Sequence, residues 1–443
     1  MKRFLTALTM ISLVLLSACG RDEKGARIGP GNNIIDPTAT PTPTGTPGPV
    51  ARLETAQIVD FGEGFVGQVS ERTLTIQNAG AAAATELNSS SPATPFAFKG
   101  GVFPGTGGTC PKNGKLDPGT QCTLVVSLAP NAEGSFSADL SISYNDGEED
   151  QVMTAQLKAS GSFCDPGASP FGYGSGTAEN DPFLICSPAH LRNLAQASNM
   201  NAYLKLTKDL DLAGETINPI GNEVIPFGGI FDGNKKILSN LTISKSGQSN
   251  VGLFGVVANS FLYAEIKDLG LTNINVSGYD NVGGLVGRMK SGAIHRSFTT
   301  GRVTSAHDRA GGLVGWAGET GNAVIQDSYA QAVVSAANIA AGGVVGESAG
   351  GCAINRTYAA GQVGALNGNV GGLVGKASYW SDCYSSFWDE KLGNVYSNAC
   401  GGGQGIPTYK FVMQSTFSGW DFDQTSTPIW KLTDTYPAMK WEP

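Results

Sequence analysis

Few residues in this chain have the types and spacing of a catalytic site. A zinc peptidase of the His-Glu-x-x-His type needs two histidines four residues apart on one helix, and the three histidines, His190, His295 and His307, are never that close. The stretch Gly346-Glu-Ser-Ala-Gly350 matches the Gly-x-Ser-x-Gly nucleophile elbow. In an α/β-hydrolase the histidine follows the serine, whereas here every histidine precedes Ser348. We therefore predict neither a zinc peptidase nor a serine hydrolase.

The remaining candidates for chemistry are His307, Asp308 and Asp327. They fall in neighbouring units of a repeat described below, together with His295, Arg296 and Arg309. Glycoside hydrolysis needs two carboxylates across a groove, so the alternative function is a polysaccharide lyase or hydrolase with its groove on one lateral face. Because charges on the exterior of a repeat are usually just solvated, we expect no enzyme, no metal and no cofactor.

Five glycine boxes organise the second half of the chain. They are Val251-Gly-Leu-Phe-Gly255, Gly283-Gly-Leu-Val-Gly287, Gly311-Gly-Leu-Val-Gly315, Gly342-Gly-Val-Val-Gly346 and Gly371-Gly-Leu-Val-Gly375. Their closing glycines, Gly255, Gly287, Gly315, Gly346 and Gly375, are 32, 28, 31 and 29 residues apart. A period in this range is typical of solenoids, propellers and arrays.

A second motif follows the boxes at matching offsets. It begins at the isoleucines 266, 294, 325 and 354, and a single valine follows at 276, 303, 334 and 363. Each unit thus supplies short apolar strands broken by Gly, Asn and Ser, with no helix between them. This pattern predicts a parallel β-helix, or β-solenoid, in which each coil buries its inward side chains against its neighbours. The glycines suit tight corners and close backbone approach.

These boxes resemble the GLUG repeat of bacterial surface and secreted proteins. The resemblance covers roughly residues 165–441 and includes the Phe-Asp-Gly-Asn stretch at 231–234 and closing segments at 417–422 and 436–441. In that family the repeats are regarded as adhesin-like β-helical stalks, and they also decorate some surface peptidases. The resemblance implies a binding or adhesion role.

Both ends of the predicted solenoid carry candidate caps. Ser187 as N-cap, Pro188 at the first helical position and apolar residues three apart predict a short helix over 187–196 that covers the first coil. Five of the six tryptophans lie after residue 379, and a solenoid end must hide its last strand edge and core. We therefore expect a C-terminal cap built on Trp380, Trp388, Trp420, Trp430 and Trp441.

Residues 51–162 have a different pattern from the repeats. Short stretches of alternating apolar and polar residues are separated by Gly, Pro, Asn and Asp, which predicts an immunoglobulin-like β-sandwich. The stretches at 59–67, 74–78 and 116–122 resemble the choice-of-anchor D modules of exported bacterial proteins. That resemblance implies a spacer or interaction module without catalytic residues.

The first fifty residues read as an export and anchoring segment. Lys2 and Arg3 precede a largely apolar run too short to span a bilayer, and the run ends in Leu16-Ser-Ala-Cys19. This resembles the lipobox of bacterial lipoproteins, which implies a signal peptide over 1–18 and an acylated Cys19. Gly20 in place of Asp implies the outer membrane, with the protein facing the surface or the periplasm. The Pro/Thr-rich remainder of 19–50 favours an extended linker.

Cysteines beyond Cys19 suggest disulfides, as expected of an exported protein. We predict Cys110 with Cys122 and Cys164 with Cys186, and we give Cys383 with Cys400 as a weaker pair because Cys352 is an alternative partner. The unpaired thiol, most naturally that of Cys352, is expected to act as a small buried hydrophobe.

Charge and architecture together define the expected partners. Removal of residues 1–18 takes the net charge from −8 to −10, and no basic stripe is visible, which argues against nucleic acid. The chain is predicted to be all-β, with its solenoid over 163–443, and to be held to a membrane by acyl chains. Its expected function is binding or adhesion to surface polysaccharide or to a protein on a host or prey cell. A structural role in the envelope is a second alternative to the enzyme.

Overall fold

The computed structural model describes residues 48–197, 200–258, 263–319, 322–379, 381–393, 395–422 and 425–443. The signal peptide 1–18, Cys19, nearly all of the linker 19–50 and Trp380 lie outside these residues, so the predictions on them stay predictions. Among the described helices, none has the length and apolar character required to cross a bilayer.

The first folded region is a sandwich of two four-stranded sheets, ordered β1-β3-β6-β5 and β2-β8-β7-β4. All pairs are antiparallel except β2 with β8. Alternate residues of β7 and β8 are buried between the sheets, as the period-two pattern predicts. The strands are β1 Leu53–Glu54, β2 Ile58–Phe65, β3 Ser70–Asn78, β4 Thr85–Asn88, β5 Phe96–Phe98, β6 Gln121–Leu128, β7 Gly134–Asn145 and β8 Asp150–Ser162.

The second region is a parallel β-solenoid of about six turns, and it contains the predicted repeats. Its entry and first coils contain β9 Phe183–Ile185, α1 Pro188–Ala195, β10 Tyr203–Leu206, β11 Leu210–Asp211, β12 Ile230–Ser239, β13 Thr242–Lys245, β14 Phe254–Val257, β15 Glu265–Gly278, β16 Val282–Gly283 and β17 Val286–Met289. The middle coils contain β18 Gly292–His295, β19 Phe298–Ser305, β20 Arg309–Gly311, β21 Val314–Ala317, β22 Ala323–Gln326, β23 Tyr329–Ala336, β24 Ala340–Gly342 and β25 Val345–Ser348.

The last coils and the C-terminal segment complete the chain. They contain β26 Cys352–Asn355, β27 Tyr358–Ala359, β28 Val363–Ala365, β29 Asn369–Gly371, β30 Val374–Ala377, β31 Ser381–Tyr384, β32 Phe387–Asp389, α2 Glu390–Gly393, β33 Gln404–Ile406, 3-10 turns at Thr408–Val412 and Gln414–Thr416, β34 Trp430–Lys431 and β35 Ala438–Met439. The coil strands form one long sheet and two narrower ones, β14-β17-β21-β25-β30 and β16-β20-β24-β29, so each coil has three faces. The predicted all-β class, sandwich then solenoid, is confirmed.

The solenoid core consists of columns in which a residue lies above its own equivalent. The predicted isoleucines pair in register with one another, continue into Cys383, and are fully buried; they are Ile266, Ile294, Ile325 and Ile354. Parallel strands about 4.8 Å apart bring such side chains into contact. Fully burying one of them contributes about 1.5–3 kcal/mol, and the repeat multiplies that contribution.

The glycine boxes form the corner between the two narrower sheets, where there is no room for a side chain. A Cβ on Gly315 would lie 2.5 Å from the backbone carbon of Asn281, and one on Gly255 would lie 2.4 Å from the Gly221 oxygen. Gly287, Gly346 and Gly375 would meet backbone atoms at 2.4, 2.5 and 2.6 Å. None of the five has positive φ. They are glycines because successive coils touch there, not because the turn is left-handed.

Helix α1 forms where predicted and starts with Pro188 at its first position. Leu191 and Leu194 point into the solenoid core. The expected side-chain cap is not made: the Ser187 hydroxyl is buried and has no partner among the described residues. That the helix serves as the cap of the first coil stays a prediction.

Trp420, Trp430 and Trp441 lie on the side of the solenoid and not over its last coil, so the expected end cap built on them is wrong. The described residues of 407–443, here called the C-terminal segment, fold back along the side of the solenoid. They cover an aromatic column of Phe298, Tyr329, Tyr358 and Phe387, one from each of four coils. The rings of Phe298 and Tyr329 stack at 4.7 Å and 2°. Trp420 and Trp430 are buried against this column. Trp388, in the last full coil, packs in the solenoid core itself.

All three predicted cysteine pairs are bonded in the structure: Cys110 with Cys122, Cys164 with Cys186 and Cys383 with Cys400. Cys352 is the free thiol and is buried. Burial raises its pKa to about 12, so it stays a protonated, unreactive apolar group.

Candidate functional site

One corner of the solenoid carries a column of polar side chains, one from each coil. Strands β15, β18, β22, β26 and β31 pair in register from one coil to the next. Asp268 in β15 and the residue that directly follows each of the other four strands therefore form one column. Lys235 stands beside Asp268 at the register shift between β12 and β15. This charged corner consists of Lys235, Asp268, Arg296, Asp327, Arg356 and Ser385.

The backbone of the charged corner is left-handed throughout, with φ between 44° and 61° at all six positions. Residues other than glycine adopt this conformation at a cost of about 1–2 kcal/mol each. The corner turns the chain sharply from one strand into the next, so it requires this geometry. Ion pairs along the column help to offset the cost.

Opposite charges in the column pair with two parallel hydrogen bonds. Arg296 donates from Nε and Nη2 to the two oxygens of Asp268, both at 2.7 Å. Arg356 donates in the same way to Asp327, at 2.6 and 2.7 Å. These bonds are the largest cause of the raised pKa of each arginine. The pairs differ in burial, since the Asp327 side chain is 2% exposed and that of Asp268 is 13% exposed.

The C-terminal segment explains that difference. It lies over the later coils, where Trp430 Nε1 is 3.5 Å from Asp327 Oδ1 and the Trp420 indole donates to the Ser385 carbonyl at 2.8 Å. The segment is held by polar contacts as well, because the Tyr358 hydroxyl donates to the Pro437 carbonyl and the Tyr436 hydroxyl donates to Asp389. The earlier part of the charged corner is left open.

A cleft of about 740 Å³ lies between the open part of the charged corner and the C-terminal segment. We call it the corner cleft. Its charged and aromatic lining is Lys235, Asp268, Arg296, Asp421, Lys440 and Trp441, and the hydroxyl-bearing residues 425–427 form part of its rim. Trp441 is half-buried and packs against Phe298 at 5.6 Å. The cleft therefore combines an aromatic ring, hydroxyls and charges of both signs.

The charges in the corner cleft are not all paired. Asp268 and Arg296 neutralise each other, whereas Asp421 accepts a hydrogen bond from the Thr425 hydroxyl at 2.8 Å. Lys235 and Lys440 have no carboxylate within salt-bridge distance anywhere in the described ranges. Two ammonium groups of the lining are thus available to a ligand.

The predicted groove of His307, Asp308 and Asp327 does not form. Asp327 belongs to the charged corner, at the start of β23, whereas Asp308 lies in the turn between β19 and β20. Strands of eight residues separate the two corners, which is roughly 25 Å. Asp327 is moreover buried in its pair with Arg356. This prediction of a shared groove is wrong because the residues lie at different corners of the coil.

His307 instead joins a smaller cluster that contains Asp280, which the sequence analysis did not select. Its Nδ1 is 2.9 Å from Asp280 Oδ1 and 3.0 Å from Asp308 Oδ1, and its ring stacks on Tyr279 at 4.8 Å. The three donor groups are close enough to hold a cation. Arg309 contacts this cluster through Asp308 at 3.7 Å and donates from Nε to the buried carboxylate of Glu347, whereas His295 lies near Glu265.

Two further groups of chemical interest have structural roles. Ser348 is fully buried within the flat strand β25, and its hydroxyl accepts a hydrogen bond from Ser381 at 2.6 Å, so it is not a nucleophile on a strand-to-helix turn. Cys164, Cys186 and His190 lie together like metal ligands, but the two sulfurs are bonded to each other. Burial lowers the pKa of His190, which favours the neutral ring.

A second open cleft, of about 590 Å³, lies further along the same sheet. Its polar lining comes from an asparagine column in which Asn273 donates to Asn240 at 2.6 Å and Asn240 donates to Asp211 at 2.7 Å. Arg302 is its charged residue. This cleft offers a comparison for the corner cleft because it has no aromatic ring in its lining.

Of the residues that line the corner cleft, Arg296 was a candidate from the sequence, whereas Lys235, Asp268, Lys440 and Trp441 were not predicted to share a site with it. A signal was present in the repeat: the residue two places after each motif isoleucine alternates Asp, Arg, Asp and Arg in successive units. In a parallel stack, opposite charges at one register position must be neighbours. The contribution of the C-terminal segment had no such signal.

Comparison with known proteins supports both regions. Residues 51–158 match the model of the immunoglobulin-like domain found in HYDIN, CFA65 and VesB proteins. A candidate immunoglobulin A1 protease from Bacteroides ovatus has a similar structure, with a TM-score of 0.51 and 22% identity over 63% of this chain and 98% of that one. At that identity the likeness shows the fold alone.

Two curated relatives resemble parts of the chain. Halomucin from Haloquadratum walsbyi is 35% identical over 156 residues, which is 32% of this chain and 2% of halomucin. A candidate Gly-rich membrane protein from Evansella cellulosilytica is 32% identical over 111 residues, 24% of this chain and 12% of that protein. The chain thus spans only a small part of the length of the relatives that it matches.

Proposed function

We propose that this chain is a lipid-anchored binding protein of the bacterial envelope, which presents its solenoid to glycans at a cell surface. The single observation that carries the proposal is the corner cleft, where an aromatic ring, hydroxyls and unpaired cations line an open surface. Sugar rings are bound by this combination, because their C–H faces pack on aromatic rings while their hydroxyls need polar partners. The names of the halomucin and membrane-protein relatives agree with an envelope location.

The rival function is an enzyme on the same scaffold, and the name of the Bacteroides protein keeps it in view. In the corner cleft, Asp268 already accepts two hydrogen bonds from Arg296, so it is poorly placed to transfer a proton. Asp268 and Asp421 are the two carboxylates of the described lining, so Asp421 would have to act without Asp268 as its partner. We therefore favour binding without turnover.

Binding is tested by passing the full mature chain, in detergent, over immobilised polysaccharides while released sugar is measured. We expect retention on at least one polysaccharide without products, and weaker retention for Trp441→Ala. Tyr396→Ala is the matched control, since Tyr396 is 66% exposed and lies outside the cleft lining. Release of oligosaccharides that stops in Asp421→Asn would favour the enzyme, and absence of any retention would reject the proposal.

Anchoring is tested separately. Acylation at Cys19 predicts that the wild-type chain fractionates with the outer membrane and incorporates a fatty-acid label, whereas Cys19→Ser does neither. A Cys19→Ser chain that stays in the membrane fraction would contradict lipid anchoring.

A further inference from the structure

We infer that the corner cleft is specific for anionic polysaccharides, whose carboxylate or sulfate groups bind Lys235 and Lys440. The inference rests on the proposed function and names the ligand class of the same site. It follows from a mismatch of charge: the described lining contributes three cations and two carboxylates, and one cation and one carboxylate neutralise each other in the Asp268–Arg296 pair.

The positions of the two lysines come from different parts of the fold. Lys235 is held at the charged corner, with φ of 61°, and its neighbour Asn234 donates from its side chain to the Leu206 carbonyl at 3.0 Å. Lys440 follows β35, and its backbone N–H donates to the Ile429 carbonyl at 2.7 Å. These hydrogen bonds hold the backbone at both positions, so the charged corner and the C-terminal segment each contribute one lysine to the lining of the cleft.

The rest of the cleft favours a sugar chain over other polyanions. A volume of about 740 Å³ lies within the usual range of about 300–1,000 Å³ for small-ligand sites, and the open shape accepts a segment of a longer chain. Trp441 supplies an apolar face, and residues 425–427 supply hydroxyls.

The test compares polymers that share a backbone. Affinity of the full mature chain would be measured for dextran, carboxymethyl-dextran and dextran sulfate, and for polygalacturonate as a natural uronate polymer, at low and high salt. We expect polygalacturonate and at least one charged dextran to bind at least about tenfold more tightly than neutral dextran. This preference should shrink as salt is raised because screening weakens charge pairs.

Variants locate the site. Lys235→Gln combined with Lys440→Gln should lose about tenfold in affinity for the anionic polymers and most of the salt dependence. Lys208→Gln, an exposed lysine of the first coil, and Arg302→Gln in the second cleft should bind as the wild type does. Tryptophan fluorescence and melting of every variant would show that the fold is intact.

Each outcome separates the two proposals. Equal binding of neutral and charged polymers would overturn the anionic specificity but keep glycan binding. Anionic binding that survives the double lysine substitution, or is lost in Arg302→Gln, would overturn the assignment to the corner cleft. Failure to bind any polysaccharide would overturn the proposed function itself.

Discussion

The sandwich and the solenoid bury similar β-strands by opposite means. In the sandwich, antiparallel strands pack two sheets over one aromatic-rich core that includes Phe61, Phe96 and Phe98, so each residue has unlike neighbours. In the solenoid, each residue lies above its own equivalent. A favourable or unfavourable contact at one register position therefore recurs in every coil. Charged, amide and aromatic side chains form columns for the same reason.

This difference explains why the charged side chains of the candidate site lie on the solenoid. Repetition places like side chains in columns, and a column of ions is stable only if opposite charges alternate, above all where it is buried. In the charged corner, lysine or arginine alternates with aspartate, and the C-terminal segment buries the later pair. The corner cleft lies where the cover ends. The sandwich has no comparable column among its described residues.

The largest expected effect tests the coil contacts. Gly315→Val should abolish folding of the solenoid or lower its free energy of unfolding by more than about 4 kcal/mol, because a Cβ there meets two backbone atoms at 2.5 Å. Gly364→Val is the matched control, since a Cβ at Gly364 meets nothing within 4 Å. All six tryptophans lie beyond residue 315, so tryptophan fluorescence during urea unfolding reports the solenoid alone. Equal stability of both variants would contradict the close approach of the coils.

A smaller effect tests the cover over the charged corner. Asp327→Asn should cost roughly 3 kcal/mol, because it leaves the half-buried Arg356 without its carboxylate beneath the C-terminal segment. Asp268→Asn, at the same register position beside the open cleft, should cost less, about 1–2 kcal/mol, because both members of its pair are more exposed than Asp327 and Arg356. Unfolding in urea, followed by tryptophan fluorescence, measures both. A larger loss in the free energy of unfolding for Asp268→Asn than for Asp327→Asn would contradict this comparison.

The sandwich offers the next test, since it should respond independently of the coils. Replacing Cys110 and Cys122 together with Ser opens a loop with a sequence separation of 12 and should destabilise the sandwich by about 2–3 kcal/mol. Calorimetry should show a lower melting temperature for the sandwich. Tryptophan fluorescence should be unchanged; a shift in it would mean that the two regions unfold together.

The smallest effect concerns pH and the docking of the C-terminal segment. Burial raises the pKa of Glu442, and the Tyr329 hydroxyl donates to its carboxyl at 2.7 Å. A raised pKa means that the folded state prefers the protonated acid, so this contribution is present at pH below the ordinary value of 4.5 and is lost as pH rises through the raised pKa. Limited proteolysis of the segment should therefore quicken across that window.

Glu442→Gln is the control for this effect. The amide keeps an acceptor for Tyr329 but does not titrate, so the variant should show the same rate of cleavage across the window. If the wild type and the variant change alike with pH, another group controls the docking.

Much of the fold follows from local patterns in the sequence. Period-two alternation identified the sandwich, and the spacing of Gly255, Gly287, Gly315, Gly346 and Gly375 identified the stack, because both depend on neighbours that are near in sequence or equivalent in a repeat. The aromatic C-terminal segment was placed at the wrong surface. Its composition shows that it must be buried, but the composition does not say against which surface.

What the sequence determined by itself was periodicity: which side chains point inward, which glycines must remain bare, and which cysteines are near enough to join. The tertiary structure alone decided which corners meet which segment. It separated Asp308 from Asp327 by the length of a strand. It also brought Lys440 and Trp441 into one cleft with Lys235 and Arg296, although Lys235 precedes Lys440 by about two hundred residues. A binding cleft depends on such distant contacts, and no repeat period encodes them.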